Sequence, residues 1–141
     1  MKRILKHALP LLAGAIVSLS ASAQQGTWLT QSGNLEVEIA PCDQALCGTV
    51  VKEIASRSMS GDLDKAFKDT RPALGMKILQ DFTTSDEKEW KGHIYNRENG
   101  ETYDCILSLA VSGELKVHGY KGLRMFGRTQ TWTRLADRAP K

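Results

Sequence analysis

Few side chains in this sequence are placed to do chemistry. Cys105 sits in Tyr103-Asp104-Cys105-Ile106-Leu107, and His93 lies on the segment before it. Across a hairpin the two would meet, as a thiol–imidazole nucleophile or half a metal site. A catalytic zinc site needs three protein ligands, and only two can be assembled. A buried free cysteine is more often packing than chemistry, and a strand histidine beside an apolar face is more often structural. Asp81, Asp86, Glu87 and Glu89 cluster around a turn. They could act as a glycosidase pair only if held about 5–10 Å apart in a cleft, and a solvated turn is the simpler reading. Trp90, among charges, could contact a sugar or pack on a rim. No glycine-rich phosphate cradle, H-E-x-x-H or G-x-S-x-G motif is present. We therefore expect no enzyme, no cofactor and no metal.

The elements that hold these residues read as strands. From Gly26 onward, short alternating runs are separated by turn residues, the pattern of an all-β sandwich or barrel. The sequence predicts strands at Thr27–Leu29, Leu35–Ala40, Cys47–Ile54, Met76–Phe82, Glu89–Asn96, Thr102–Val111, Glu114–Tyr120 and Thr129–Leu135. One short helix, Asp62–Lys68, falls in the long connection Ala55–Arg71, and Pro72 ends any helix there. Glu98-Asn99-Gly100 reads as a three-residue hairpin loop with glycine in the left-handed position. That register sets Tyr95 opposite Tyr103 and His93 opposite Cys105. The Val111-Ser112-Gly113 turn sets Leu109 opposite Leu115 and Leu107 opposite Val117. One face is then apolar, and a slip of one residue would turn Lys116 inward.

The beginning of the chain reads as an address. Lys2, Arg3 and Lys6 precede an apolar run from Ala8 to Leu19, and Ala21-Ser22-Ala23 supplies a small-residue cleavage site. The run is short of the about 20 residues that span a bilayer. We expect residues 1–23 to be a cleaved signal peptide and 24–141 a single β-barrel domain, periplasmic or secreted. Without Lys2, Arg3 and Lys6 the 19 basic side chains fall level with the 16 acidic ones. Neither a nucleic-acid footprint nor a polybasic membrane patch remains, and no lipid-anchor cysteine follows the apolar run. In an oxidising compartment Cys42 and Cys47, at the tips of two strands, are expected to form a disulfide worth roughly 2 kcal/mol.

Eight antiparallel strands with one apolar face can close into a barrel and remove their edges. Gly26-Thr27-Trp28 opens the first strand, and Gly127-Arg128-Thr129-Gln130-Thr131-Trp132-Thr133-Arg134 forms the last. In a closed barrel these are neighbours, and Arg134 can lie over Trp28, a contact worth roughly 0.5–2 kcal/mol. This Gly-x-Trp start with a terminal arginine resembles the signature of lipocalins and their calycin relatives.

More narrowly, the mature chain resembles the bacterial family known as domain of unknown function 2147. The matching stretches run in order: Gly26-x-Trp28, Cys42…Cys47-Gly48, Arg71-x-x-Leu74-Gly75, Gly92-x-Ile94-Tyr95 and Gly100-x-x-Tyr103-x-Cys105. Gly119-Tyr120-x-Gly122 and the Gly127–Arg134 stretch close the series. The family usually carries Asp-Thr-x-Asn before the arginine, whereas here Asp69-Thr70 runs straight into Arg71-Pro72. The resemblance implies a lipocalin-like, eight-stranded up-and-down barrel in the cell envelope or outside it, and no particular activity. An eight-stranded barrel is either filled by side chains or holds one small guest. The expected function is non-enzymatic binding. In one reading the partner is a small hydrophobic molecule, in a pocket drawn from Trp28, Phe82, His93, Tyr95, Tyr103, Leu107, Leu109 and Val117. In the other, the barrel is filled and serves as an envelope protein–protein or inhibitor module, with Ala55–Arg71 and Leu123-Arg124-Met125-Phe126 as contact surfaces.

Overall fold

The computed structural model describes residues 22–55, 66–86 and 88–135. Most of the expected leader, residues 62–65 of the expected helix, and Glu87 lie outside the described residues. Ala66, Phe67 and Lys68 are irregular, and the described residues contain no helix.

The strands are β1 (Gly26–Leu29), β2 (Leu35–Cys42), β3 (Ala45–Glu53), β4 (Lys77–Thr84), β5 (Glu89–Asn96), β6 (Glu101–Leu109), β7 (Leu115–Tyr120) and β8 (Gly127–Arg134). They form a closed barrel in chain order, with β1 and β8 paired antiparallel. Period-two burial drives the closure. Val37 and Ile39 of β2, Val50 of β3 and Leu115 and Val117 of β7 are almost wholly buried, while their strand neighbours are more exposed.

The β2–β3 hairpin turns through Asp43 and Gln44 between paired Cys42 and Ala45. Asp43 takes a left-handed φ of 57°, which a short polar side chain tolerates. The disulfide between Cys42 and Cys47 staples this hairpin, with its Cα atoms 5.6 Å apart. The β6–β7 register is the expected one, Leu109 opposite Leu115 and Leu107 opposite Val117.

The β5–β6 register differs by one residue from the expected one. Tyr95 faces Thr102, Ile94 faces Tyr103, His93 faces Asp104, and Cys105 faces Gly92. Gly100 is left-handed, with φ 72°, but the loop also takes in Arg97. Its cause is tertiary. The carbonyls of Arg97 and Glu98 accept the amides of Asp69 and Lys68, at 3.0 Å each. The Arg97 guanidinium sits 4.6 Å above the Phe67 ring. Arg97 thus leaves the ladder to hold the incoming segment, and β5 changes faces. Trp90, Gly92 and Ile94 turn inward; Lys91, His93 and Tyr95 turn out.

Inward glycines make room for large neighbours. A β-carbon on Gly92 would lie 2.5 Å from the Gln80 carbonyl oxygen and 2.7 Å from the Phe82 ring. At Gly119 the nearest atom would be 3.4 Å away. Gly92→Ala should therefore lower stability by about 1–3 kcal/mol through overpacking, and Gly119→Ala by far less. Urea midpoints at constant m check this; equal shifts would contradict the packing described.

Candidate functional site

One end of the barrel is sealed by its first and last strands. Trp28 is fully buried and pairs with Arg134. The Arg134 guanidinium carbon lies 4.2 Å above the indole ring. The guanidinium also donates to the Gln25 carbonyl at 2.8 Å and to the Ala23 carbonyl. The indole N–H donates to the Gln24 carbonyl at 2.9 Å. Gln24 and Gln25 both follow the expected cleavage point. Gly26 makes the stack possible, because its φ is 128° and a β-carbon there would meet Arg134 Nη1 at 2.7 Å.

The barrel interior is occupied by its own side chains. Trp28, Leu79, Phe82, Leu107, Leu115 and Trp132 are each 0% exposed. Where Gly48 lacks a side chain, Leu79 fills the space, with Cδ1 2.7 Å from a would-be β-carbon. Phe82 does the same at Gly92. The Trp132 indole N–H is satisfied within 3.0 Å by Gln130 Oε1.

The residues expected to line a pocket therefore separate. Trp28, Phe82, Leu107 and Val117 are core, with Leu109 and Tyr103 packed partly against it. The Tyr103 hydroxyl accepts from Asn99 at 2.6 Å and donates to Glu101 at 3.2 Å, while Lys121 Nζ lies 4.7 Å from the ring centre. His93 and Tyr95 are outside the barrel, because of the register difference. His93 does not meet Cys105; its ring nitrogens lie 3.6 Å from Asp81 and Asp104. Cys105 is 1% exposed, and burial pushes its thiol pKa well up, away from nucleophilic thiolate.

Among the described turn carboxylates, Asp86 and Glu89 are engaged. Asp86 accepts the amides of Lys88 and Glu89, at 2.8 and 3.0 Å, and Glu89 pairs with Arg124. Trp90 is half-buried and packs against the core. His118 faces outward, with Nε2 2.6 Å from the Arg124 carbonyl oxygen and Nδ1 2.8 Å from the Thr129 hydroxyl.

Outside the barrel, a cleft of about 380 Å³ lies against β4 and β5. Arg71, Gly75, Met76, Lys77, Gln80, His93, Tyr95 and Thr102 line it. Its wall is set by Asp69, whose side chain is only 9% exposed. The carboxylate accepts the Arg71 amide at 3.1 Å, Arg71 Nε at 2.9 Å, Arg71 Nη2 at 2.6 Å and the Tyr95 hydroxyl at 2.6 Å. The Arg71 guanidinium, then the Tyr95 hydroxyl, holds the Asp69 pKa well below the usual carboxylate range. In return Asp69 raises the pKa of Arg71 and of the Tyr95 phenol. Sequence reading missed this cluster, since Tyr95 is 26 residues from Asp69. The one local signal was the acid–base spacing Asp69-Thr70-Arg71 before Pro72.

Two of the stretches that carried the family resemblance, Arg71–Gly75 and Gly92–Tyr95, meet at this cleft. Comparison with known proteins supports the resemblance itself. Residues 26–134 match the family described as "Uncharacterized protein conserved in bacteria (DUF2147)". The chain belongs to this family. Among solved structures it is similar to protein HP1028 of Helicobacter pylori, described as belonging to the lipocalin family. The identity is 20%, the TM-score 0.60, and the match covers 80% of this chain and 83% of that one. No curated protein matches the chain in sequence. At that identity the likeness speaks for the fold alone: this member of the family is a lipocalin-like barrel.

The Asp69 cluster has a pH signature. A carboxyl whose folded pKa is depressed contributes stability above its unfolded pKa, near 3.9, and loses it as pH falls through the folded value. Asp69→Asn should be less stable than wild type at neutral pH, and the gap should narrow steadily below about pH 4. Denaturation midpoints from pH 7 to pH 2 check this; parallel curves would contradict the assigned bonds.

Proposed function

We propose that this is an exported, non-enzymatic binding protein that makes its contacts with the outside of a filled barrel, as an envelope interaction or inhibitor module. The observation that carries this reading is the occupied interior. Two tryptophans and a phenylalanine take the space where a carrier would hold its guest, and Leu79 and Phe82 press on glycine backbone. The Cys42–Cys47 disulfide is consistent with an oxidising, extracytoplasmic location.

The proposed contact is the β7–β8 turn. Leu123, Met125 and Phe126 are 61%, 78% and 65% exposed. The turn is closed by the Phe126 amide donating to the Leu123 carbonyl at 3.0 Å. Arg124 anchors it on both sides, through its carbonyl to His118 and its guanidinium to Glu89. A held turn that presents three large apolar side chains suits a protein partner.

Delipidated protein titrated with fatty acids and hydrophobic dyes should show no saturable quenching of tryptophan fluorescence and no rise in Tm. Stoichiometric binding that quenches the buried indoles would overturn the filled-barrel reading and restore the carrier. The turn is tested separately. Leu123→Ser with Phe126→Ser should change stability by no more than about 0.5 kcal/mol. A photo-crosslinking residue at position 125 should give a discrete protein adduct in cells, which the double substitution removes. An adduct of unchanged yield would exclude the turn.

A further inference from the structure

The outer cleft has features that the turn does not share. Eight residues line it and none is a carboxylate; two, Arg71 and Lys77, are strongly basic side chains. Asp69, the acid behind the wall, has its oxygens taken by Arg71 and Tyr95, so it holds a guanidinium in place and presents little of its own charge to the cleft.

Arg71 is positioned in an unusual way for a surface residue. Nε and Nη2 are locked on Asp69, which leaves Nη1 outside that fork, and 70% of the side chain is exposed. A guanidinium fixed in orientation loses little entropy when its remaining Nη1 donors bind an oxyanion, and such a charge-assisted hydrogen bond suits carboxylate and phosphate oxygens. Lys77 supplies a second charge from β4. Its ammonium lies 3.3 Å from Cys42 Sγ, a neutral and weak acceptor that leaves the charge available. The Thr102 hydroxyl, on β6, adds a neutral hydrogen-bonding group at the wall. Gly75, at φ 83° with no atom within 4 Å of a would-be β-carbon, keeps one side of the cleft open. His93 borders the cleft, with Asp81 and Asp104 on either side of its ring.

We infer that this cleft binds a small multi-oxygen anion, of the phosphate or polycarboxylate class, between Arg71 and Lys77. The volume falls within the small-ligand range of roughly 300–1,000 Å³. Two sources share this chemistry, a free anion and the headgroup of a phospholipid. This site stands independently of the β7–β8 turn.

The test uses the mature, disulfide-bonded protein with sodium pyrophosphate and sodium citrate, titrated calorimetrically at ionic strength matched with chloride. Wild type should bind at least one of the two saturably. Lys77→Gln should weaken binding about tenfold, a change of one charge-assisted contact. Arg71→Gln should weaken it at least as much, and because it also disturbs Asp69, the exposed Lys77 variant carries the decision. Lys52→Gln, a surface cation on β3, should change nothing. Co-sedimentation with phosphatidylglycerol vesicles, against phosphatidylcholine vesicles, separates the sources. Lys77-dependent sedimentation competed by pyrophosphate assigns the headgroup; soluble-anion binding without sedimentation assigns the free ligand. Absence of saturable binding to pyrophosphate, citrate and vesicles alike, or binding that Lys77→Gln and Lys52→Gln affect equally, would overturn the inference.

Discussion

β1 is four residues long and meets β8 through two residue pairs, Trp28 with Arg134 and Leu29 with Thr133. Every other seam is held by a longer ladder, so this thin one decides whether the sheet is a barrel or an open strip with two edges. Backbone pairing is scarce there, and side chains supply the rest. The Arg134 guanidinium covers the indole face while its nitrogens take carbonyls of the preceding segment, and the indole N–H takes another. Three residue types meet one requirement: glycine for the approach, tryptophan for the area, arginine for the cap.

Closure fixes the size of the interior, and eight strands leave a space that side chains can fill. Here they do. Large rings from β1, β4 and β8 converge, and glycines on β3 and β5 accept what a β-carbon would exclude. A lipocalin-like outline is thereby separated from a lipocalin-like cargo, since fold alone does not place a ligand. The chemistry left over is on the outside. There the segment before β4 is tied to the wall by Asp69 and Tyr95, and the β7–β8 turn is pinned back by Arg124.

What the sequence could reveal follows the range of the forces involved. Alternation within a strand is local, so all eight strands, the β6–β7 register and the stapled β2–β3 hairpin were legible. The Trp28–Arg134 stack was legible too, because closure forces the chain's two ends together. The β5–β6 register was not, because the competing partner of Arg97 is Phe67, thirty positions away. One residue drawn out of a ladder moved His93 and Tyr95 from the expected pocket to the outer wall. The bulge in β4 was equally hidden. Asp81 takes a φ of 61° and the register shifts between Gln80 and Thr83, so Leu79 and Phe82 are both buried though three positions apart, against period two. The Asp69–Arg71–Tyr95 cluster depends on the β5–β6 register that turns Tyr95 outward and could only be seen once that was in place.

Whether the barrel is full is read by native mass spectrometry of protein taken from its own host without refolding. A full barrel gives one folded species at the mass of the disulfide-bonded polypeptide alone, unchanged after extraction with organic solvent. A heavier species that loses a discrete apolar molecule on extraction would contradict it.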